Sequence, residues 1–452
     1  MHRLLASLFI STSLPSSGLI FWSADDPPAN KETAPTGAYV DSGWQHVLRF
    51  KNFQGTMISP KHFITATHLG NGTTVTQPVY FNGVAEKSFT IKPDSREIIQ
   101  VNGEDSDLSV FEIWESFDRY APLYTSANEV GKEFVITGKG RGRGDALIRN
   151  SETVGWEWGD GTTEADRWGV STILSTDTAG SGADLIYSQF RSNGGIHECQ
   201  ATGNDSGGGW FIKDGPVWKL AAVTFSADAG RDSNDTVGDN SHVRGAMTKA
   251  RGFYFGSDVD GWTLIPTNNA LYNNPTSFET NNSDSRFYDK THSYGTRISS
   301  FIPELNQLIQ PAITNAALSS GARFTAWLND EGISTQTGPN DDADTDGVTN
   351  LLEYFAGSSA GDTSDIITPF STNQMTSGAM QFTINESLDL SGRGLSGMIE
   401  KSDDLSNWSE VTSAVESSNV IAPITGTRTR TLDLAAPVGP KLFFRLKVTL
   451  AD

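Results

Sequence analysis

The sequence predicts a mainly β protein built from several folded units. At 452 residues the chain exceeds what one ordinary hydrophobic core organises, so two or three units are expected. Short apolar runs (HVLRF, TMISP, FITAT, VYFNG, LSVFEI and FVITG) recur between turn residues at the spacing of an all-β barrel or sandwich. Apolar residues at 37% and aromatic residues at 10% are enough to fill such cores, while abundant Gly, Ser, Thr and Asn supply the turns.

The N-terminus reads as a signal peptide over residues 1–24. His2 and Arg3 precede an apolar run at residues 4–14, a second apolar stretch covers 19–22, and Asp25 and Asp26 follow. The cleavage point stays open: a cut after Ala24 leaves bulky Trp22 three positions upstream, and a cut after Gly18 leaves an apolar tail on the mature chain. A short membrane anchor is the alternative. No later segment reaches the roughly 18 apolar residues that a membrane span requires. The expected location is therefore secreted, extracellular, periplasmic or at the cell surface. Residues 25–38 (DDPPANKETAPTGA) carry no periodic pattern and read as a linker, so the folded part is expected to begin near Tyr39.

Further strands follow in DLIYSQF, GGWFI and WKLAAVTF. A polar insertion of Asp, Asn and Gly, about residues 227–292, then reads as a long surface excursion. Order is expected again at Tyr294, and FIPELNQLI places Ile302, Leu305, Leu308 and Ile309 on one helical face. Residues 322–329 suggest another short helix. Residues 312–360 are read as a small helical unit around an acidic loop, and residues 361–452, ending in KLFFRLKVTL, as a C-terminal β domain. GKGRGRGD (138–145) has no βαβ pattern around it, so it is a glycine-rich turn and not a dinucleotide site.

A formal charge of −21 sets a field that repels nucleic-acid phosphates and anionic lipid, and makes calcium a more natural partner. Cys199 is the only cysteine, so no intramolecular disulfide is available and the cores must suffice.

Three local contexts offer the groups that serine hydrolysis needs: a hydroxyl, an imidazole beside it, a carboxylate to orient the imidazole, and N–H donors for the oxyanion. ISPKHFITATHLG places His68 after an apolar strand. DSDLSVFEI places Asp107 at a strand start, with Asp105 as the alternative carboxylate. GNDSGGG places Ser206 in a glycine-rich turn before the strand WFI. TATH (65–68), DLSV (107–110) and DSGG (205–208), with YGTRISSFIPELNQLI (294–309), resemble the TAAH, DIAL, GDSGG and closing strand-helix patterns of the trypsin and chymotrypsin family. The resemblance covers residues 39–311 and implies a double β-barrel with a terminal helix. It also implies His68 as general base, Asp107 as its orienting carboxylate, Ser206 as nucleophile, and the N–H groups of Asn204 and Ser206 as oxyanion donors.

Two departures from that family stand out. Asn204 replaces the usual glycine, and no IVGG-like start near Tyr39 offers an amine for Asp205. The family's primary pocket would fall among Glu198, Gln200, the strand VTFSA (223–227) and Ser293, without a readable side-chain preference.

The stretch DADTDGVTNLLE (342–353) fits the twelve-position loop D-x-D-x-D-G-x5-E. Asp342, Asp344, Asp346, the Val348 carbonyl, Asn350 and Glu353 take the ligand positions, and Gly347 takes the sharp turn. It resembles EF-hand and dockerin-like loops of bacterial extracellular modules, which implies structural Ca2+. The terminal domain, with GMIEKSDDLSNWSEV, resembles a C-terminal β module of bacterial secreted proteins, in keeping with sorting, surface or polymer attachment. Two functions result: a serine endopeptidase acting on protein or peptide substrates, or a binding protein on an inactive protease fold stabilised by calcium.

Overall fold

In a computed structural model of the chain, the described residues are 18–23, 29–149, 151–159, 165–228, 230–233, 242–248, 252–257, 261–266, 286–288, 291–436 and 442–451. Most of the expected leader, and much of the insertion at 227–292, lie outside them. The mainly β expectation holds, because strands dominate the element order.

Six strands close a barrel. Around the ring they are Glu133–Gly138, Arg167–Thr178, Asp184–Gln189, His292–Arg297, Val217–Ala227 and Gly209–Asp214, each antiparallel to its neighbours. Closure removes the free edges that a flat sheet would expose. Phe134, Ile136, Ile186, Trp210 and Ile212 fill the interior, with Trp210 stacked on Phe134 at 4.3 Å.

The earlier strands form a seven-stranded antiparallel sheet in the order Lys87–Thr90, Thr74–Gln77, Val47–Phe50, Phe53–Met57, His62–Ala66, Glu104–Glu112 and Glu97–Val101. Its seam is short: the bridge from Ile91 to Ile113, with the Lys92 N–H donating to the Glu112 carbonyl and the Trp114 N–H to the Thr90 carbonyl, joins the ends of Lys87–Thr90 and Glu104–Glu112, and Pro93, which has no N–H to donate, ends it. The sheet keeps its own core of Leu48, Phe50, Phe63, Val75, Phe89 and Phe111. A second cluster joins the two β bodies through Trp44, Ile64, Leu108, Val135, Phe211 and Val223.

The closing helix, Ile302–Ala316, docks on that joint. Leu305 and Ile309 are fully buried and Ile302 and Leu308 partly so, which matches the expected face. Burial of each of the two full side chains is worth on the order of 2 kcal/mol.

Segments read as leader and linker are part of the barrel body. Leu19, Ile20 and Phe21 have no exposed surface, and Ile20–Phe21 pairs with Cys199–Gln200. Asn30 donates to the Trp168 carbonyl at 2.9 Å, and Glu32 N–H donates to Asp166 O. Buried Asp166 in turn accepts from Arg49, Gln54 and Tyr80. Folded structure therefore begins ahead of Tyr39, because these residues find their partners more than a hundred positions away.

The insertion also carries strands. His242–Met247 lies between Glu152–Trp158 and Gly230–Ser233 in a four-stranded sheet, and Gly252–Ser257 forms a three-stranded one with Gly261–Pro266 and Arg286–Tyr288. Cys199 is sealed. Its sulfur lies 2.2 Å from where a side chain on Gly169 would begin, and burial raises its thiol well above the ordinary range.

Beyond the closing helix, Ser319 caps the helix Ser320–Asp330 by accepting from Ala322 N–H at 3.2 Å. The short helix Asn350–Ala356 ends at left-handed Gly357. Phe324, Leu328, Tyr354 and Phe355 from these helices share one core with Phe382, Ile384, Leu395, Ile399 and Leu434 of two small sheets. This C-terminal body touches the seven-stranded sheet. Lys61 Nζ donates to Asp389 Oδ2 (2.6 Å) and to the Trp114 and Glu115 carbonyls, and Trp114 Nε1 donates to Pro423 O at 2.7 Å. Among the described residues no helix is long and apolar enough to cross a membrane.

Candidate active site

The site lies between the two β bodies, and each contributes part of it. Strand His62–Ala66 runs into a 3-10 turn, Thr67–Leu69, that carries His68. Its antiparallel partner Glu104–Glu112 is in register Ala66 to Leu108, so Asp107 emerges directly beside that turn. Ser206 comes from the closed barrel, in the turn ahead of Gly209–Asp214.

His68 Nδ1 lies 2.9 Å from both carboxylate oxygens of Asp107, and His68 N–H donates to Oδ1 at 3.0 Å. His68 Nε2 lies 2.8 Å from Ser206 Oγ. A carboxylate on Nδ1 requires that nitrogen to carry the proton, which leaves Nε2 of a neutral ring free to accept from the serine hydroxyl. Asp107 is largely shielded at 13% side-chain exposure while His68 is open at 44%, so the carboxylate is inside and the imidazole faces solvent. Arg96 and Ser109 hold the turn from below, through the Thr67 carbonyl and hydroxyl.

The other carboxylate and histidines serve elsewhere. Asp105 is exposed and accepts from Gln100. His46 is buried and its imidazole is pushed down to about 4 by desolvation and then by Arg119. His62 pairs with Ser59 inside a turn whose hydroxyl also accepts the Lys61 and His62 amides. His197 meets Asn30, and His292 meets Asp228.

The serine turn is held by contacts that only its own residues fit. Gly207 has φ +81, and a Cβ there would lie 2.1 Å from the Gln54 carbonyl of the opposite body, so glycine is required for the bodies to close. Gly207 N–H donates to Thr224 O, and Gln54 N–H reaches Ser206 O at 3.5 Å. Asn204 has φ +77, the left-handed conformation that glycine would adopt without strain and that Asn tolerates better than most residues.

Asp205 is the feature the sequence did not account for. It is fully buried, and its oxygens accept N–H groups of Gly140 (2.5 Å) and Thr202 (2.7 Å), the Thr202 hydroxyl (3.0 Å), and the amide of Leu19. Desolvation outweighs these bonds and pushes its carboxyl up to about 7. Gly138 and Gly140, within the run read as a surface turn, are there because a Cβ on either would strike this carboxylate.

Of the expected pocket residues, Glu198, Gln200 and Ser293 are buried and already engaged, whereas Phe225 is partly open and Ser226 exposed. Glu198 pairs with Arg191 at 2.6 Å, Gln200 donates to Asp228 O, and Ser293 Oγ accepts from Ala201 N–H. A cleft of about 300 Å³ opens beside His68 between Asp105, Ala179, Leu185 and Phe225.

At the acidic loop, Asp342, Asp344 and Asp346 bring ligand oxygens within 4.8 Å of one another, an arrangement able to hold a metal ion. Asp342 accepts the amides of Thr345 and Gly347, and Val348 N–H donates to Asp346 Oδ1. Glu353 faces the cluster from the helix with no exposed surface. Burial first, then the aspartates, push its carboxyl up to about 8. Asn350 differs from expectation. Its side chain donates to the Gln336 and Gly338 carbonyls and accepts from Ala343 N–H, so it braces the loop and does not point a free oxygen at the cluster.

No protein-family model matches the chain, and no curated protein matches it. Among solved structures it is similar to neuropsin, a serine protease expressed in the limbic system of mouse brain. Identity there is 13%, over 59% of this chain and 94% of that one, with a TM-score of 0.32. It is also similar to a mutant of human heparin binding protein (CAP37), at 12% identity over 62% of this chain and 96% of that one, with a TM-score of 0.33.

Proposed function

We propose that the chain is a serine endopeptidase that cleaves protein or peptide substrates through an acyl-enzyme. The observation that carries this is the continuous hydrogen-bonded line from Asp107 through His68 to Ser206. As a substrate carbonyl settles on Ser206 Oγ, His68 Nε2 takes the hydroxyl proton while Asp107 stabilises the resulting imidazolium. The backbone N–H groups of Asn204 and Ser206 serve as donors to the oxyanion. His68 then protonates the leaving amine, and water, deprotonated by the same ring, releases the acyl group. The cleft beside His68, walled by Leu185 and Phe225, is suited to an apolar side chain of the substrate.

The reading extends to the rest of the chain. The protein is exported, and leader removal between Gly18 and Leu19 fits Leu19, Ile20 and Phe21 being barrel core and would bring a new α-amine to Asp205. Residues up to 316, the end of the closing helix, form the protease unit, the acidic loop binds structural calcium, and the C-terminal body serves attachment or substrate adhesion. Asn204 at the glycine position supports the second reading, a binding protein on an inactive protease fold.

A fluorophosphonate probe separates the two. Labelling of the folded chain that disappears in Ser206→Ala supports the enzyme, and no labelling of folded, calcium-loaded protein overturns it.

A further inference from the structure

The acidic loop and the docking of the C-terminal body meet at one short helix, Asn350–Ala356. On its loop side stands Glu353. It has no exposed surface, and neither of its carboxylate oxygens has a hydrogen-bond partner. Asp344 Oδ2 and Asp346 Oδ2 are equally enclosed and unpartnered. A buried carboxylate without a donor costs several kcal/mol, so Glu353, set beside the enclosed second oxygens of Asp344 and Asp346, calls for a cation. Oxygen-only ligands on a flexible loop suit Ca2+, which accepts irregular coordination, better than Mg2+, which demands an octahedron.

On its other side the same helix reaches the barrels in two steps. The Tyr354 carbonyl accepts from Arg393, whose guanidinium also lies 4.6 Å from the centre of the Tyr354 ring. Arg393 belongs to the turn Leu390–Arg393, in which Arg393 N–H donates to Asp389 O. Asp389 Oδ2 receives Lys61 of the seven-stranded sheet at 2.6 Å. Around that pair, Gly426 lies flat on the Trp114 indole, where a Cβ would approach to 2.4 Å. Phe355, one residue past Tyr354, lies in the centre of the C-terminal core. The position of this helix therefore sets both the packing of that core and the height at which Asp389 meets Lys61.

We propose that Asp342, Asp344, Asp346 and Glu353 bind one Ca2+, and that this ion is the latch that keeps the C-terminal body docked on the barrel body. The inference rests on the calcium reading above and adds to it a mechanical role. Without the ion, Glu353 leaves its buried position, the helix shifts, and the Arg393, Asp389 and Lys61 contacts are lost. Because ion binding and docking are linked, docking tightens calcium binding by the same factor as calcium tightens docking, so a change on the barrel side that undocks the body must weaken calcium binding.

The test uses the full chain carrying Ser206→Ala to prevent self-cleavage. Calcium affinity is measured by titration calorimetry, and docking by small-angle scattering with calcium and with chelator. The expected result is one site, an increase in radius of gyration on chelation, and a loss of affinity of about tenfold or more in Glu353→Gln. The double variant Lys61→Met, Trp114→Ala, which touches no ligand, should expand the particle and weaken calcium binding about fivefold or more. Calcium binding with identical scattering in both states, or undocking of the double variant with unchanged affinity, overturns the latch and leaves the calcium reading standing. No heat of binding at millimolar calcium overturns both. Fluorophosphonate labelling of the unsubstituted chain reports separately on the protease reading.

Discussion

Asp205 provides a prediction whose size follows from its surroundings. When residue 18 is still joined to Leu19, Asp205 is met only by neutral donors, and its carboxyl rises from 3.8 to about 7. At about 1.4 kcal/mol per pH unit this comes to about 4 kcal/mol. The folded-state value lies above the unfolded one, so this contribution is fully present below pH 3.8 and is lost as pH rises through about 7.

A chain that begins at Leu19 presents an ammonium to the same carboxylate, which pulls its titration back down and removes the loss from that window. The experiment compares two Ser206→Ala chains, one beginning at Leu19 and one retaining the residues before it. Urea unfolding is followed by hydrogen exchange of the barrel strands from pH 4 to 7, with His2→Ala in the longer chain, so that the titrating side chains the two share cancel in the difference. The gap between the two stability curves should widen with pH to about 4 kcal/mol in favour of the shorter chain. Curves that run parallel through the window would refute the pairing of Leu19 with Asp205.

His68→Ala should lower kcat/KM by about 10⁴-fold or more without unfolding the protein, and Asp107→Asn by about 10⁴-fold; steady-state assays on a peptide ester check both. Gly207→Ala should cost about 2 kcal/mol or more and abolish probe labelling, because its methyl would strike the Gln54 carbonyl; wild-type stability and labelling would show that the bodies can part without loss. Asn204→Gly should raise thermal stability by about 1 kcal/mol and keep or increase turnover, since left-handed backbone is what the position requires. N-terminal sequencing of chain recovered from outside the cytoplasm of expressing cells should return Leu19 first, and a start beyond Trp22 would remove Ile20–Phe21 from the barrel and refute both the export reading and the processing site.

Much of the candidate site was legible because each part of it is local. TATH, DLSV and DSGG each sit at the edge of a strand that its own apolar alternation announces, and strand pairing alone brings His68 beside Asp107. The helix face of Leu305 and Ile309 was readable for the same reason. What escaped depends on distant partners. Residues 19–22 have the composition of a leader and residues 29–32 that of a linker, and nothing near them in sequence announces Cys199, Asp166 or Trp168. Gly138 and Gly140 read as turn residues until Asp205 arrives from 65 positions away. Asn350 fits a ligand position by spacing, yet the backbone carbonyls of the preceding loop claim its side chain first. The short seam of the first sheet was likewise invisible, since it turns on the bridge of Ile91 to Ile113.

The sealed thiol of Cys199 also shapes how the protein is made and watched. With one cysteine in this sequence, no disulfide has to form within it, so the redox state of the surroundings does not enter the connectivity of the barrels. The same burial turns the residue into a clock: a thiol reagent added to the native chain reacts only when the strand pair Ile20–Phe21 and Cys199–Gln200 opens. Where the reagent outpaces reclosing, its rate counts openings of that strand pair, and where it does not, the rate reports the open population.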